Sequence, residues 1–248
     1  MADKKLFSVS LYEKQKKLFR RLGRAVLSKA FVNNLDKLAL INKTDKGKHH
    51  WYTRQYKKHF HDLRKRRMSI LEIGVGGYDD PKAGGNSLRM WKHYFSNSKI
   101  YSIDVHDKSL LQEKRIKIFK GSQTDEAFLR RVFNEIGSLD IIIDDGSHIN
   151  EHVIATFKIL FPLLKEGGIY AVEDTQTSYW PEYGGDSQNL NNLSTLMSFF
   201  KSLVDGLNWQ EYKRQGYKPS YFDANIASLH FYHNLIFIYK SGKDKDNG

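Results

Sequence analysis

The stretch Ser69-Ile-Leu-Glu-Ile-Gly-Val-Gly-Gly77 sets the reading of the whole chain. Ser69–Glu72 with Ile73 is a short apolar strand. It runs directly into glycines, which let the backbone turn tightly and come close to a ligand. Downstream, strand-like runs alternate with helix-like runs. Strands are expected at Ile100–Asp104, Ile116–Phe119, Asp140–Asp144 and Ile169–Glu173, with helices near Leu88–Phe95, Glu126–Ile136 and Glu151–Leu164. That alternation implies βαβ units and a parallel sheet. Ala227–Tyr232 and Leu235–Lys240 are separated only by His233-Asn234, too close for a helical crossover, so they should form an antiparallel hairpin. The expected fold class is α/β, a Rossmann-like, mostly parallel sheet closed by an antiparallel strand.

Upstream of this segment the composition changes. Residues 1–67 carry 20 Lys and Arg against 5 Asp and Glu, whereas residues 68–248 carry 20 against 23. The net charge of +12 is therefore a basic N-terminal segment on a mildly acidic body. A basic body would point to a nucleic-acid enzyme; this distribution points to a docking arm, and RNA binding through Arg64-Lys-Arg-Arg67 is the weaker reading. Residues 11–30 read as a helix with Leu18, Leu22 and Val26 on one face, Leu11 and Phe19 close to it, and Lys and Arg opposite. Such a helix packs on its own domain or a dimer mate, or meets an anionic membrane or an acidic partner. The expected division is a basic helical arm over residues 1–42 and one domain over 43–248. There is no cysteine, so any metal must be held by oxygen or imidazole. With no secretory signal and no apolar run of membrane-spanning length, the expected location is the cytoplasm, with the arm as the element that would reach a membrane surface.

The first strand presents Glu72 beside Gly74 and Gly76, and the second strand ends at Asp104. An acid at that second tip is placed to accept hydrogen bonds from ribose hydroxyls. The dinucleotide fingerprint would have a third glycine where Asp79 stands. Glu72, Asp79 and Asp80 would repel a pyrophosphate but attract the sulfonium and amino groups of S-adenosylmethionine.

Two further segments, Ile141-Ile-Ile-Asp-Asp-Gly-Ser-His148 and Ala171-Val-Glu-Asp-Thr175, are apolar strands that each end in two adjacent acids. If the strands are neighbours, Asp145, Glu173 and Asp174 converge at the carboxyl edge of the sheet, where they need a cation. Oxygen ligands select a hard ion, Mg²⁺ by default or Mn²⁺. His148 lies on the same loop as Asp145 and is suited to remove a proton from a metal-activated hydroxyl. Helix capping by Asp145 or Asn150 would account for one acid but not for both pairs. The string His148-Ile-Asn-Glu151-His152 also matches the H-x-x-E-H of inverzincin metalloproteases, which requires both histidines on one helix face.

Together these residues resemble the metal-dependent macrolide-sugar O-methyltransferases of the mycinamicin and tylosin type. The resemblance extends over residues 40–240 and rests on Thr44-Asp-Lys, His50-Trp-Tyr-Thr53 with Tyr56, Leu71-Glu-Ile-Gly-Val-Gly-Gly-Tyr78, Gly84-Gly-Asn-Ser-Leu-Arg-Met-Trp91, Gly121-Ser-Gln-Thr-Asp125, Ile143-Asp-Asp-Gly-Ser-His148, Glu173-Asp-Thr-Gln-Thr-Ser-Tyr-Trp180 and Leu229-His-Phe-Tyr-His-Asn234. It implies a class I methyltransferase sheet of seven strands. It implies Mg²⁺ on Asp145, Glu173 and Asp174, His148 as base, and S-adenosylmethionine contacts from Glu72, the glycines, Ser87, Asp104, Ser122, Gln123 and Asp144. The acceptor it implies is a sugar hydroxyl on a larger scaffold, with a catechol-like phenol as the alternative. Tyr179 and Trp180 are expected either to touch that acceptor or to pack a lid, and Tyr52 and Tyr56 to close over the cofactor.

Overall fold

The computed structural model describes residue 19 and residues 22–242. Its sheet has seven strands: β1 (Ser69–Ile73), β2 (Lys99–Asp104), β3 (Ile116–Lys120), β4 (Leu139–Asp144), β5 (Leu164–Glu173), β6 (Ile226–Tyr232) and β7 (Leu235–Lys240). They lie in the order β3-β2-β1-β4-β5-β7-β6. β1 to β5 pair in parallel, and β7 runs antiparallel to both β5 and β6, as the short His233-Asn234 connection requires. Strand order reverses at β1, which opens a crevice at the carboxyl ends of β1 and β4, the usual ligand position in such sheets.

Both faces of the sheet are covered. Ile70, Ile141, Ile143, Ile169, Ala171, Leu235 and Phe237 belong to one core, and Leu71, Ile142, Tyr170, Val172, Ile236 and Ile238 to the other. Neighbours in sequence thus fall on opposite faces, and unbroken runs such as Ile141-Ile-Ile143 are what a doubly covered parallel strand needs. The helices α1 (Leu35–Asn42), α2 (Tyr52–Phe60) and α3 (Asn86–Tyr94) supply Leu38, Tyr56, Phe60 and Trp91 to the first core. The helices α4 (Glu126–Ile136), α5 (Asn150–Leu160) and α6 (Leu196–Ser202) supply Leu129, Phe157 and Phe200 to the second. α4 is delimited by its ends: Asp125 accepts from Phe128 N at 3.0 Å, and Gly137 takes the left-handed conformation at φ 85°.

One expectation needs correction. The helix expected over Glu151–Leu164 stops at Leu160, because Pro162 has no N–H to continue it, and β5 already begins at Leu164. Leu35, Leu38 and Ala39 of α1 are buried in the same core as Tyr56 and Trp91. Within the helix expected over 11–30, residues 22–30 are helical, with Ser28 buried, its hydroxyl 3.4 Å from Asn42 Nδ2, and Leu22 and Val26 54% and 66% exposed. Leu11 and Leu18 of that stripe lie outside the described residues. Among the described residues no helix is long and apolar enough to cross a membrane.

Candidate active site

The alternation that builds the two cores also sorts the acids. In the sheet register Glu72 pairs with Ile143, and Ile143 with Ala171, so the three stand level across β1, β4 and β5. Two residues further along the same face come Asp145 and Glu173. Asp144, one residue earlier, falls on the opposite face. Adjacent acids at a strand tip therefore enter different surroundings, and the doublet Asp144-Asp145 is two sites rather than one.

On the second face, Asp144 is buried. Tyr170 donates to it at 3.2 Å and Gln123 Nε2 at 3.5 Å. Burial pushes its carboxyl up to about 7. Gln123 also donates to Thr156 Oγ1 at 3.1 Å and accepts from Ser147 N at 2.8 Å, so it braces the loop that carries His148. Ser122 sits beside it, its hydroxyl 3.0 Å from that of Thr124.

On the first face, the loop between α1 and α2 delivers a residue to which sequence reasoning gave no role. Lys46 is 1% exposed, and its ammonium lies 2.5 Å from Asp145 Oδ2, 2.7 Å from both oxygens of Glu173 and 3.2 Å from Glu72 Oε1. Burial works against its charge, but Asp145, Glu173 and Glu72 more than compensate and raise its pKa well above the ordinary lysine value. No periodicity distinguishes Lys46 from Lys43 and Lys48 around it.

The tyrosines of α2 complete this shell. Tyr52 donates to Asp174 Oδ1 at 2.6 Å and Tyr56 to Glu173 Oε1 at 2.6 Å. Both side chains are buried. Their hydroxyls orient the acids. Asp174, in the left-handed conformation at φ 54°, is the hub of the outer part of the site. Its oxygens lie 3.6 Å from His50 Nδ1 and 3.6 Å from His148 Nε2. Burial opposes ionisation of Asp174, but the Tyr52 hydroxyl and the two imidazoles outweigh it and hold the carboxyl below its ordinary range. His148 Nε2 is also 3.8 Å from Asp145 Oδ1.

The donor atoms of Asp145, His148 and Asp174 all lie within 4.8 Å of one another, a suitable group for a hard divalent ion. Glu173, expected as the third metal acid, bonds Lys46 and Tyr56 and lies outside that group of donor atoms. Asp145 caps no helix, and α5 begins after Ile149 without a side-chain cap. His148 stands before α5 at φ 57°, while His152 on the helix meets Ser147 Oγ at 3.1 Å. The two histidines do not share a helix face, so the inverzincin arrangement is absent.

The glycine turn lies beside these acids. Gly74 N donates to Ile103 O at 2.9 Å, and Val75 N to Asp104 Oδ2 at 3.0 Å, tying the turn to the tip of β2. Asp104 Oδ1 accepts from His106 N at 2.8 Å. A Cβ on Gly74 would overlap the Asp145 carbonyl oxygen, whereas one on Gly76 would meet nothing within 4 Å. The turn is thus closed toward the metal acids and open on its outer side. Glu72 is fully buried, and apart from the Lys46 ion pair neither of its oxygens has a well-formed hydrogen bond. Burial pushes its carboxyl up to about 7 against the pull of Lys46. A buried acid with acceptor capacity to spare beside an open glycine turn fits a cationic ligand group. Ser87, near the start of α3, is buried next to it, and its hydroxyl steadies the Glu72 charge.

Beyond Asp174 the chain makes two short turns, Thr175–Tyr179 and Pro181–Tyr183. Asn150, buried at the start of α5, holds them. Its amide donates to Thr177 O at 2.9 Å and Tyr183 O at 2.8 Å, and its carbonyl accepts from Leu196 N at 2.6 Å. Tyr179 and Trp180 ride on this clamped segment, 39% and 43% exposed.

Comparison with known proteins gives a consistent picture. No family model matches the chain. It is 46% identical over 218 residues to the 8-demethyl-8-alpha-L-rhamnosyl tetracenomycin-C 2'-O-methyltransferase of Streptomyces olivaceus, covering 88% of this chain and 57% of that one. It is 46% identical over 203 residues to demethylmacrocin O-methyltransferase of Streptomyces fradiae, covering 82% and 51%. Among solved structures, the MycE methyltransferase of the mycinamycin pathway in complex with Mg and SAH superposes with a TM-score of 0.82 at 44% identity, covering 85% of this chain and 54% of that one. The chain spans about half the length of the relatives it matches.

Proposed function

We propose that the chain, which over the portion it shares with them is similar to sugar O-methyltransferases of antibiotic pathways, transfers a methyl group from S-adenosylmethionine to a hydroxyl of a sugar-containing acceptor, with a divalent cation and with His148 as general base. The observation that carries this reading is the placement of His148 Nε2 between Asp145 and Asp174, at 3.8 and 3.6 Å, beside the open glycine turn and its buried Glu72. When bound, S-adenosylmethionine supplies an electrophilic methyl on sulfur, and Mg²⁺ or Mn²⁺ supplies the Lewis acidity that lowers the pKa of a hydroxyl.

The chain's own residues do the rest. Glu72 and Asp104 receive the amino and ribose ends of the nucleoside, in the manner the glycine turn permits. Asp145 and Asp174 hold the cation, with Glu173 as the third acid once freed from Lys46. His148 Nε2 would accept the acceptor's hydroxyl proton as the methyl carbon bonds that oxygen and parts from sulfur, and the two carboxylates beside it would stabilise the resulting imidazolium. Asp174 suits that task because Tyr52 and the two imidazoles keep it ionised. Ser122, Gln123 and Asp144 support this geometry from the opposite face, and Gly76 leaves room for the ligand to approach. Exposed Tyr179 and Trp180 offer aromatic surface to sugar C–H groups.

The test is calorimetric titration with S-adenosylhomocysteine, in Mg²⁺ and in EDTA, followed by methyl transfer to a panel of glycosides and catechols. Cofactor binding with metal-dependent transfer to a glycoside is the expected result. Transfer to catechols alone would reassign the acceptor, and no cofactor binding would refute the reading.

A further inference from the structure

We propose that Lys46 is a positioning residue whose ammonium competes with the divalent cation for the oxygens of Glu173 and Asp145, so that its withdrawal completes the metal site. This rests on the metal-dependent methyl-transfer reading above. An ammonium has three N–H donors. Here they serve Asp145 Oδ2 at 2.5 Å and both oxygens of Glu173 at 2.7 Å, with Glu72 Oε1 a little further away at 3.2 Å. The four side chains come from the α1–α2 loop and from the ends of β1, β4 and β5, so one buried cation ties together three separate strand ends. Lys46 thus occupies oxygens of two of the expected metal acids, Asp145 and Glu173, and Tyr56 holds Glu173 as well. A buried set of acids cannot stay ionised without a counter-charge. Lys46 meets that need when no metal is bound, and a doubly charged ion would take over the same oxygens. The same ammonium reaches Glu72 beside the glycine turn. Once displaced from Glu173 and Asp145 it remains paired there, which links the metal end of the site to the cofactor end.

The test uses Lys46→Met and the charge-balanced double variant Lys46→Met/Glu72→Gln. Mn²⁺ binding is followed by electron paramagnetic resonance, without cofactor or acceptor, and thermal unfolding is measured in EDTA. Freed carboxylate oxygens should tighten Mn²⁺ binding about tenfold or more in both variants. Lys46→Met should also unfold at a lower temperature in EDTA and recover when Mn²⁺ is added. The double variant keeps the net charge of the cluster, so tighter binding there reports released oxygens rather than a stronger field, and it carries the test if the single variant does not fold. Binding that is unchanged or weaker in a folded variant, beside measurable binding to the wild type, overturns the proposal while leaving the methyl-transfer reading intact. No Mn²⁺ binding to wild type or variants overturns the metal reading itself, and this proposal with it.

Discussion

Gly74→Ala tests whether the cofactor turn and the metal loop are one rigid unit. Gly74 sits at φ 92°, where an L-residue is strained by about 1–3 kcal/mol. Its added Cβ would also overlap the Asp145 carbonyl oxygen, with Gly146 Cα only 3.3 Å away. The collision is with backbone, so no side-chain rotation relieves it, and the Asp145 carbonyl must withdraw by roughly 1 Å to reach ordinary contact. Asp145 N is tied to Ile73 O at 3.1 Å, so the displacement passes directly into the residue proposed to hold the cation. A shift of that size in a reacting constellation costs about 100-fold in rate. The expected outcome is a loss of about 2–4 kcal/mol in urea unfolding, weaker Mn²⁺ binding and a roughly 100-fold slower single turnover. Gly76→Ala is the control. It has a positive φ of 74° but open space around the new Cβ, so it should cost only about 1 kcal/mol and weaken cofactor binding, with Mn²⁺ affinity retained. Wild-type metal affinity in Gly74→Ala, with turnover within about twofold, would refute the reasoning.

Three further outcomes are expected. His148→Ala should slow methyl transfer by about 10²–10⁴ while still binding S-adenosylhomocysteine by calorimetry; equal loss of cofactor affinity would mean that the imidazole is structural. Asn150→Ala strands the Thr177 and Tyr183 carbonyls and Leu196 N, so it should lower stability by about 2–4 kcal/mol and raise the acceptor KM more than the cofactor Kd; a change in neither would separate the turns that carry Tyr179 and Trp180 from the acceptor. His59, half-buried with Tyr239 OH 2.7 Å from Nδ1, is lowered to about 4, first by burial and then by His230 and Lys58. Its folded pKa lies below the unfolded value, so its contribution is present above about pH 6.5 and is lost as pH falls toward 4. After discounting for solvent screening, this is on the order of 1–2 kcal/mol. His59→Gln should flatten the fall in thermal stability between pH 7 and 5, and an unaltered slope would count against the assignment.

The strands and their partners were legible because burial on two faces demands unbroken apolar runs, and because helices between them force parallel pairing. The short His233-Asn234 connection likewise allowed only a hairpin. Asp145, Asp174 and His148 could be grouped from strand ends alone, since neighbouring parallel strands finish at one edge. The acids themselves were thus set by local pattern.

What surrounds each acid was decided only by tertiary structure. Asp144 and Asp145 are identical letters side by side, yet the pleat sends one toward Tyr170 and Gln123 and the other toward Lys46. Lys46, Tyr52 and Tyr56 lie far from these acids along the chain, in a basic, aromatic stretch with no apolar period, so nothing local distinguished a buried counter-cation from a solvated lysine. Sequence periodicity determines which face a residue occupies within its own element. Which charges meet across elements depends on how the α1–α2 loop docks on the sheet, and that docking set the Lys46 ammonium against Glu173 and Asp145.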